Sequence, residues 1–297
     1  MASKRKWFKG LRIGCLSSIL LIIVLSQFVS GCISFSKSDK EVSEFFETHP
    51  VKPESKFYTV DNYKMHYKAL DLGQNASVIF VHGTPGSWDG FIDYFTDSTL
   101  YNQAVIISPD RPGFGMSSYG KPVASLETQS KYLAQILINY PAPRILVGHS
   151  LGGPIVARIA MDYPELVEGI IMLAPALSPD LEPKEDWFRV PMRWPIIEGM
   201  VPKIFRISNE ELIFLEEELK LMLPLWKNIT AQTVTIQGEE DNLVHPGNGE
   251  FADKVLINSS HKLIMLPEQN HFLPWNEPDL IKYEILEMLS RIRRDLD

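Results

Sequence analysis

The sequence holds only two cysteines, Cys15 and Cys32, and both lie in the N-terminal segment 1–32. Because the rest of the chain has no thiol, a disulfide framework, a cysteine-based zinc site and an iron–sulfur cluster are excluded from the body of the protein. Hydrophobic residues make up 45% of the chain and charged residues 22%, which excludes a disordered or collagen-like protein. A chain of 297 residues is long enough to bury a large core without covalent or metal cross-links.

Basic residues are scarce outside the N-terminus. Residues 1–31 hold five of the 29 Lys and Arg and no acid, so the rest of the chain carries 24 bases against 37 acids. Nucleic-acid binding depends on neutralising phosphates with Lys and Arg. The sequence also offers no zinc-finger spacing and no basic helix. We therefore predict no nucleic-acid partner.

The N-terminal segment 1–32 has the pattern of a targeting signal. A basic stretch is followed by an uncharged apolar run, Ile13–Val29, and then by Val29-Ser30-Gly31-Cys32. These are the parts of an export signal. The last four residues resemble the lipobox of bacterial lipoproteins, which implies that the signal peptide 1–31 is removed and that Cys32 is acylated, for example with palmitate. The alternative is an uncleaved transmembrane anchor, for which the apolar run lies at the short end of the usual range of lengths.

Both interpretations place the body of the protein outside the cytoplasm. The lipoprotein resemblance implies a lipid-anchored protein of the bacterial cell envelope that faces the periplasm or the exterior. Neither Ile33 nor Ser34 is the Asp that tends to retain Gram-negative lipoproteins at the inner membrane, which favours the outer membrane if the source has one. Residues 32–55 are polar and acidic with two prolines, and they predict a tether, with a short helix around Lys40–Glu47, that leads to a domain over 56–297.

Short apolar runs alternate with helical stretches from Lys56 onward. Continuous apolar strands separated by helices predict an α/β domain with a mostly parallel sheet that is covered on both faces. Residues 177–225, rich in Pro, Trp and Met, interrupt this rhythm and predict an insertion rather than a second domain. The predicted strands are Phe57–Val60, Tyr63–Ala69, Ser77–Val81, Ala104–Ser108, Arg144–Val147, Gly169–Leu173, Thr233–Gln237 and Lys262–Leu266, and the predicted helices include Ser125–Tyr140, Leu151–Tyr163, an acidic helix around Asn209–Leu223, and Asp279–Arg294.

One serine, flanked by glycines, lies at a position where a catalytic residue is expected. Gly148-His149-Ser150-Leu151-Gly152 follows a predicted strand directly and opens a predicted helix. In that context Gly-x-Ser-x-Gly predicts a nucleophile elbow, in which Gly148 and Gly152 allow a tight turn and a close approach of the helix to the strand. The turn would present the Ser150 hydroxyl as a nucleophile.

Two further loops follow strands that we expect beside the elbow. His82-Gly83-Thr84-Pro85-Gly86 can supply a backbone N–H, that of Thr84, which together with the Leu151 N–H would form an oxyanion hole. His82 is then a structural hydrogen-bonding residue that holds the loop with Gly83. The loop Asp110–Gly115 is predicted to flank the site, with Asp110 satisfying local backbone donors.

These motifs resemble those of the α/β-hydrolase superfamily, together with Gly238-Glu239-Glu240-Asp241 after one late strand and Asn270-His271 after the last. The resemblance covers nearly all of residues 56–297. It implies an α/β-hydrolase fold with a mostly parallel central sheet, helices on both faces and a small helical cap formed by 177–225. Carried over residue by residue, it implies the nucleophile Ser150, the acid Asp241 and the base His271, with Asp180 as the position where some members carry the acid instead.

The resemblance implies a serine hydrolase, carboxylesterase-like, that cleaves a small acyl or ester substrate through an acyl-enzyme. Amidase, thioesterase, lipase and carbon–carbon bond hydrolase activities remain open. So does a catalytically inactive fold that serves for binding. Ser150 argues against epoxide hydrolases and haloalkane dehalogenases, which use an Asp nucleophile. The histidines show no metal-ligand spacing with supporting acids, so neither a metal nor a cofactor is predicted.

The predicted cap is rich in large apolar side chains. They would line a pocket for an acyl or aromatic group or would merely pack the cap onto the sheet. These residues are Trp187, Phe188, Met192, Trp194, Met200 and Trp226.

Overall fold

A computed structural model of the chain describes residues 36–296. The predicted signal peptide, the apolar run and Cys32 lie outside the described residues. The described part contains an eight-stranded sheet with the strand order β1-β2-β4-β3-β5-β6-β7-β8. β1 pairs with β2, and β2 with β4, in antiparallel fashion, and all other neighbours are parallel. This architecture confirms the predicted α/β-hydrolase fold.

The strands lie close to the predicted positions. The largest difference is at β1, which begins three residues earlier than expected because its polar first residues pair with the end of β2, Glu54 opposite Ala69. Backbone pairing therefore extends this edge strand beyond its apolar stretch. The strands are β1 Glu54–Val60, β2 Tyr63–Leu70, β3 Ser77–Val81, β4 Val105–Asp110, β5 Arg144–His149, β6 Gly169–Leu173, β7 Gln232–Gly238 and β8 His261–Leu266.

Helices connect the parallel strands and cover both faces of the sheet. They are α1 Asp39–Phe46, α2 Ser98–Tyr101, α3 Leu126–Leu137, α4 Gly152–Asp162, α5 Asp186–Arg189, α6 Pro195–Glu198, α7 Lys203–Met222, α8 Gly247–Val255, α9 Leu273–Asn276 and α10 Pro278–Leu296, with 3-10 helices at Trp88–Phe95, Pro164–Leu166, Pro179–Leu181, Pro191–Arg193 and Leu223–Asn228. Among residues 36–296, no helix has both the length and the apolar composition needed to cross a bilayer.

The alternation of side chains along the strands creates two cores. In β3, Ile79 and Val81 point to the face covered by α3, α4 and α7. Val78 and Phe80 point to the other face, covered by the 3-10 helix Trp88–Phe95 and by α10. Because both faces are buried, the strands read as continuous apolar runs, as a parallel sheet requires.

The hairpin β1–β2 closes through Asp61 and Asn62, which have positive φ values of 48° and 62°. Two-residue hairpin turns of this kind match the twist of the strands, and Asn and Asp tolerate the left-handed conformation.

Part of the predicted tether is packed onto the domain. Ser38 accepts a hydrogen bond from the Glu41 amide while the Glu41 side chain accepts from the Ser38 amide, a capping box that starts α1. Phe46, at the end of α1, is buried in the same core as Phe80. The chain from Ser38 to Phe46 is therefore attached to the folded domain.

The segment between β6 and β7 forms the small helical layer for which a cap is predicted. It contains the short helices α5 and α6 and the 20-residue α7. α10 is the last helix of residues 36–296, and its last turn lies beside the amino ends of the strands. There Asp295 Oδ2 accepts a hydrogen bond from Gln232 Nε2, the first residue of β7, at 3.0 Å.

Candidate active site

Ser150 lies in the tight turn between β5 and α4. Its φ is 56°, in the left-handed region that L-residues rarely adopt. A Cβ at Gly148 would lie 2.3 Å from the carbonyl oxygen of Gly152, and a Cβ at Gly152 would lie 2.1 Å from that of Val81. Because only glycine fits at both positions, the Gly-x-Ser-x-Gly spacing follows from the close packing of helix on strand, which places Ser150 on a strained turn.

His271 and Asp241 form a buried hydrogen-bonded pair at the ends of β8 and β7, with 2.7 Å between His271 Nδ1 and Asp241 Oδ2. Asp241 Oδ1 accepts the amides of Leu243 and Val244, each at 2.9 Å. Burial alone raises the pKa of Asp241, but the hydrogen bonds from His271 and Val244 outweigh it and hold the pKa below its ordinary value. The ionised carboxylate therefore accepts the Nδ1 proton and leaves the lone pair of the imidazole on Nε2.

His149 joins the elbow to the loop that carries His271. Its Nε2 lies 2.9 Å from the His271 carbonyl oxygen, and the two rings are 4.8 Å apart. Burial, assisted by the neighbouring His271 ring, lowers the pKa of His149 to about 3. The neutral ring donates its Nε2 proton to that carbonyl. Sequence reasoning missed this role, since His149 occupies the variable position of the elbow motif.

Ser150, Asp241 and His271 thus stand at the carboxyl ends of β5, β7 and β8. Within this set, the hydrogen bond that the structure shows joins His271 to Asp241. Asp180, the alternative acid, lies exposed on the 3-10 helix Pro179–Leu181.

The loop after β3 packs directly against the serine. A Cβ at Gly83 would lie 2.8 Å from the Ser150 Cβ. His82 Nε2 accepts the Arg111 amide at 3.0 Å, and its Nδ1 donates to the Gly83 carbonyl at 2.7 Å. Burial, and then the charge of Arg111, holds the pKa of His82 well below its usual range. The neutral His82 ring fixes the loop through both of its nitrogens.

The residues predicted for the oxyanion hole flank Ser150. Leu151 follows it and precedes α4, so the Leu151 amide belongs to a helix N-terminus, where backbone N–H groups lack intrahelical acceptors. Thr84 follows Gly83, and its hydroxyl donates to Ser208 Oγ of α7 at 2.9 Å. This hydrogen bond ties the loop after β3 to the long helix between β6 and β7.

Arg111 makes a second connection between this loop and α7. Its guanidinium is fully buried and pairs with both carboxylate oxygens of Glu211, at 2.6 and 3.1 Å. It also donates to Gln129 Oε1 and to the Gly83 carbonyl, each at 2.9 Å. Sequence reasoning missed the pair because its members are 100 residues apart.

Asp110 does accept a local backbone donor, the Met116 amide at 2.8 Å. It also accepts the Trp88 amide at 2.9 Å and meets His66 Nδ1 at 2.7 Å. His66 Nε2 lies 3.1 Å from Ser55 Oγ. These bonds fix the loops after β3 and β4 to the hairpin, a role of His66 that its sequence position did not indicate.

The large side chains of the predicted cap do not share one environment. Trp187 and Trp194 are exposed to solvent, whereas Trp226 is buried against Phe251 in the core. Phe188, Met192 and Met200 are half-buried, and Met192 lines a cavity of about 110 Å³ together with Arg193 and Arg206. Neither alternative, lining one pocket or packing onto the sheet, therefore holds for all six residues together.

Comparisons with known proteins agree with this fold. Residues 76–197 match the protein family described as the alpha/beta hydrolase fold. Pyrrolizixenacetamide deacetylase of Xenorhabdus hominickii is 34% identical over 107 residues, which is 36% of this chain and 40% of that protein. Pimeloyl-(acyl-carrier protein) methyl ester esterase of Shewanella oneidensis is 28% identical over 141 residues, 48% of this chain and 47% of that protein. The chain thus spans less than half of the length of these two relatives.

A similar solved structure extends the agreement over the whole domain. The crystal structure of a membrane phospholipase A, a bacterial virulence factor, has a TM-score of 0.64 at 16% identity and covers 97% of this chain and 99% of its own. At this identity the likeness concerns the fold alone.

Proposed function

Because this domain has the α/β-hydrolase fold with Ser150 on a strained elbow, we propose that it is a serine hydrolase of ester or related carbonyl substrates. The observation that carries the proposal is the His271–Asp241 hydrogen bond beside that elbow. It holds the imidazole in the tautomer that a general base needs, with the lone pair on Nε2.

In the first half of the reaction, His271 Nε2 takes the hydroxyl proton of Ser150 while Oγ attacks the substrate carbonyl carbon. The resulting imidazolium is stabilised by the Asp241 carboxylate. It then returns the proton to the leaving alkoxide as the carbon–oxygen bond breaks. An acyl-serine and a free alcohol result.

In the second half, water gives a proton to His271 Nε2 and its oxygen attacks the acyl carbonyl carbon. Collapse of the tetrahedral intermediate returns the proton to Ser150 Oγ and releases the acid. In both halves, the amides of Thr84 and Leu151 donate hydrogen bonds to the oxyanion, the negatively charged oxygen that develops in the transition state.

An ester substrate is supported by the relative named as a methyl ester esterase, whereas the relative named as an acetamide deacetylase supports an amide. Amide, thioester and carbon–carbon cleavage use the same nucleophile, so they remain alternatives within the class. An inactive binding protein is the alternative outside it. The intact Ser150, Asp241 and His271 favour the enzyme.

The proposal extends to location. The lipobox-like Val29-Ser30-Gly31-Cys32 supports a bacterial envelope protein that is anchored by acylated Cys32 and faces the periplasm or the exterior. The proposed enzyme is thus a hydrolase that acts at a membrane surface.

Labelling with a fluorophosphonate probe tests the enzyme directly. We expect the wild type to be labelled and to turn over a panel of p-nitrophenyl esters of graded acyl length. Ser150→Ala should lose both properties while its melting temperature stays close to that of the wild type, since a hydroxyl contributes little to packing. An unlabelled wild type would favour the binding protein, and retained turnover in Ser150→Ala would move the nucleophile elsewhere.

A further inference from the structure

Four exposed apolar side chains of the cap take no part in the proposed reaction. Trp187 is 79% exposed, Trp194 58%, Ile196 70% and Val190 44%. We call these four residues the cap apolar patch. They lie close together in the chain, on α5, on α6 and on the connection between them, whose 3-10 helix Pro191–Arg193 packs against both short helices.

The composition of the patch matches a lipid interface. An indole combines a broad apolar ring with one N–H donor, and tryptophan is accordingly enriched where lipid headgroups meet acyl chains. Of the five Lys and Arg between Lys184 and Arg206, four are paired with acids: Lys184 with Glu216, Arg189 with Glu185, Arg193 with Glu210 and Arg206 with Glu198. The surroundings of the patch therefore carry little unpaired charge, and its apolar side chains are what a bilayer interface would accept.

The N-terminal segment enters the domain on the same side as the cap apolar patch. The Lys37 amide donates to Asp89 Oδ2, in the 3-10 helix after β3. The neighbouring Trp88 amide donates to Asp110 at the carboxyl end of β4. The N-terminal segment therefore reaches the domain at the carboxyl ends of the strands. The cap follows the carboxyl end of β6 and lies at the same edge.

The distance from the anchor to this edge is short. Lys37 is the fifth residue after Cys32. Even fully extended, this stretch spans at most about 18 Å. An anchor at Cys32 thus holds the carboxyl edge of the sheet next to the bilayer.

We propose that the cap apolar patch inserts into the interface of the membrane that holds the N-terminus, so that the carboxyl edge of the sheet faces the lipid. The inference rests on the proposed anchor and adds an orientation to it. The domain is held at two points, Cys32 and the patch, and it does not rotate freely on its tether.

Quenching by brominated lipids tests this orientation. The full-length protein is reconstituted into phosphatidylcholine–phosphatidylglycerol vesicles whose acyl chains carry bromine close to the headgroups. Bromine quenches only tryptophans that contact it. We expect clear quenching of the wild type, and we expect Trp187→Phe/Trp194→Phe to lose the share of the quenching that the patch contributes, at an unchanged melting temperature, while Trp275, which is half-exposed at the same edge, accounts for what remains.

A matched control places a tryptophan at the opposite edge. Ile257 is strongly exposed and precedes β8, so Ile257→Trp should add emission that bromine does not quench. Equal quenching of the wild type and the double variant, or quenching of the new tryptophan, would refute the orientation.

Sedimentation separates the two proposals. If the protein sediments with the vesicles but its cap tryptophans are not quenched, the anchor is supported and the proposed orientation is wrong. If that protein is also a dimer in detergent, a second copy covers the patch instead. A protein that does not sediment with the vesicles would overturn both proposals, yet it would leave fluorophosphonate labelling of Ser150 untouched.

Discussion

At the scale of single residues, Asp241 is the group whose replacement isolates the hydrogen bond to His271. Asp241→Asn keeps the shape but offers an N–H where the imidazole requires an acceptor. We expect kcat to fall by something on the order of 10⁴ if the site behaves like other triads. The measurement is kcat/KM for one p-nitrophenyl ester.

The neighbouring acids serve as matched controls. Glu239, Glu240 and Asp180 are exposed. Their amide variants should stay within about tenfold of the wild type, because they lie outside the hydrogen-bonded group. If Asp241→Asn keeps a near-normal kcat/KM while Asp180→Asn loses most of it, the catalytic acid lies in the loop after β6.

Arg111 allows stability and activity to be separated. Glu211→Gln leaves a buried guanidinium without its counter-charge and should lower the free energy of unfolding by about 3 kcal/mol. Replacing both partners, Arg111→Met with Glu211→Met, should restore much of that stability. We expect the double variant not to recover kcat, because the hydrogen bond from Arg111 to the Gly83 carbonyl is still missing. A small displacement of the loop that carries Thr84 should lower kcat about 10–100-fold.

Denaturant titration and steady-state kinetics on the same preparations check this. If kcat recovers together with stability in the double variant, Arg111 is a packing residue only. If kcat falls while KM holds, Arg111 is a positioning residue for the loop that carries Thr84.

At the scale of elements, the segment leading into α5 contains a carboxyl whose titration affects stability. Burial, followed by the nearby Glu216 charge, raises the pKa of Glu182 to about 7. The folded state therefore holds a proton that the unfolded state releases near pH 4.5. Stability falls as pH rises through this window. Glu182→Gln should match the wild type near pH 4.5 and melt higher at pH 8, by about 2–4 °C per kcal/mol recovered.

Melting curves at both pH values measure the difference. The exposed Asp186 provides the control, because Asp186→Asn should shift the melting temperature equally at the two values. A Glu182→Gln variant that melts like the wild type at pH 8 contradicts the expectation.

Elements were more predictable from the sequence than the contacts between them. Apolar runs predicted eight strands and the helix that follows the elbow, since burial on both faces of a sheet imposes that pattern on consecutive residues. The partners of Arg111 and His66 come from distant elements, at separations of 100 and 44 residues, and no local pattern encodes them. The exposure of Trp187 could not be predicted either, because the sequence does not distinguish a tryptophan that lines a pocket from one that faces solvent.

At the scale of the whole molecule, the proposed anchor predicts a difference in mass. Cys32→Ser should remove lipid attachment and leave the longer precursor, because the cleavage signal depends on that cysteine. Several acyl chains hold a lipoprotein firmly, whereas one alone holds it marginally. Mass spectrometry of the wild type provides the check. An unmodified Cys32 with residues 1–31 still attached would establish the transmembrane anchor instead.

The chain enters the domain at one edge of the sheet and leaves it at the other, since Lys37 bonds to Asp89 beside the carboxyl ends and Asp295 bonds to Gln232 at the amino ends. In the proposed orientation, a polypeptide fused behind α10 is carried on the side of the domain that points away from the membrane. Such a fusion should be cleaved by an added protease. The same separation disfavours circular permutation. A linker that joins the two ends must run from one edge of the sheet to the other, about 20 Å for strands of six residues.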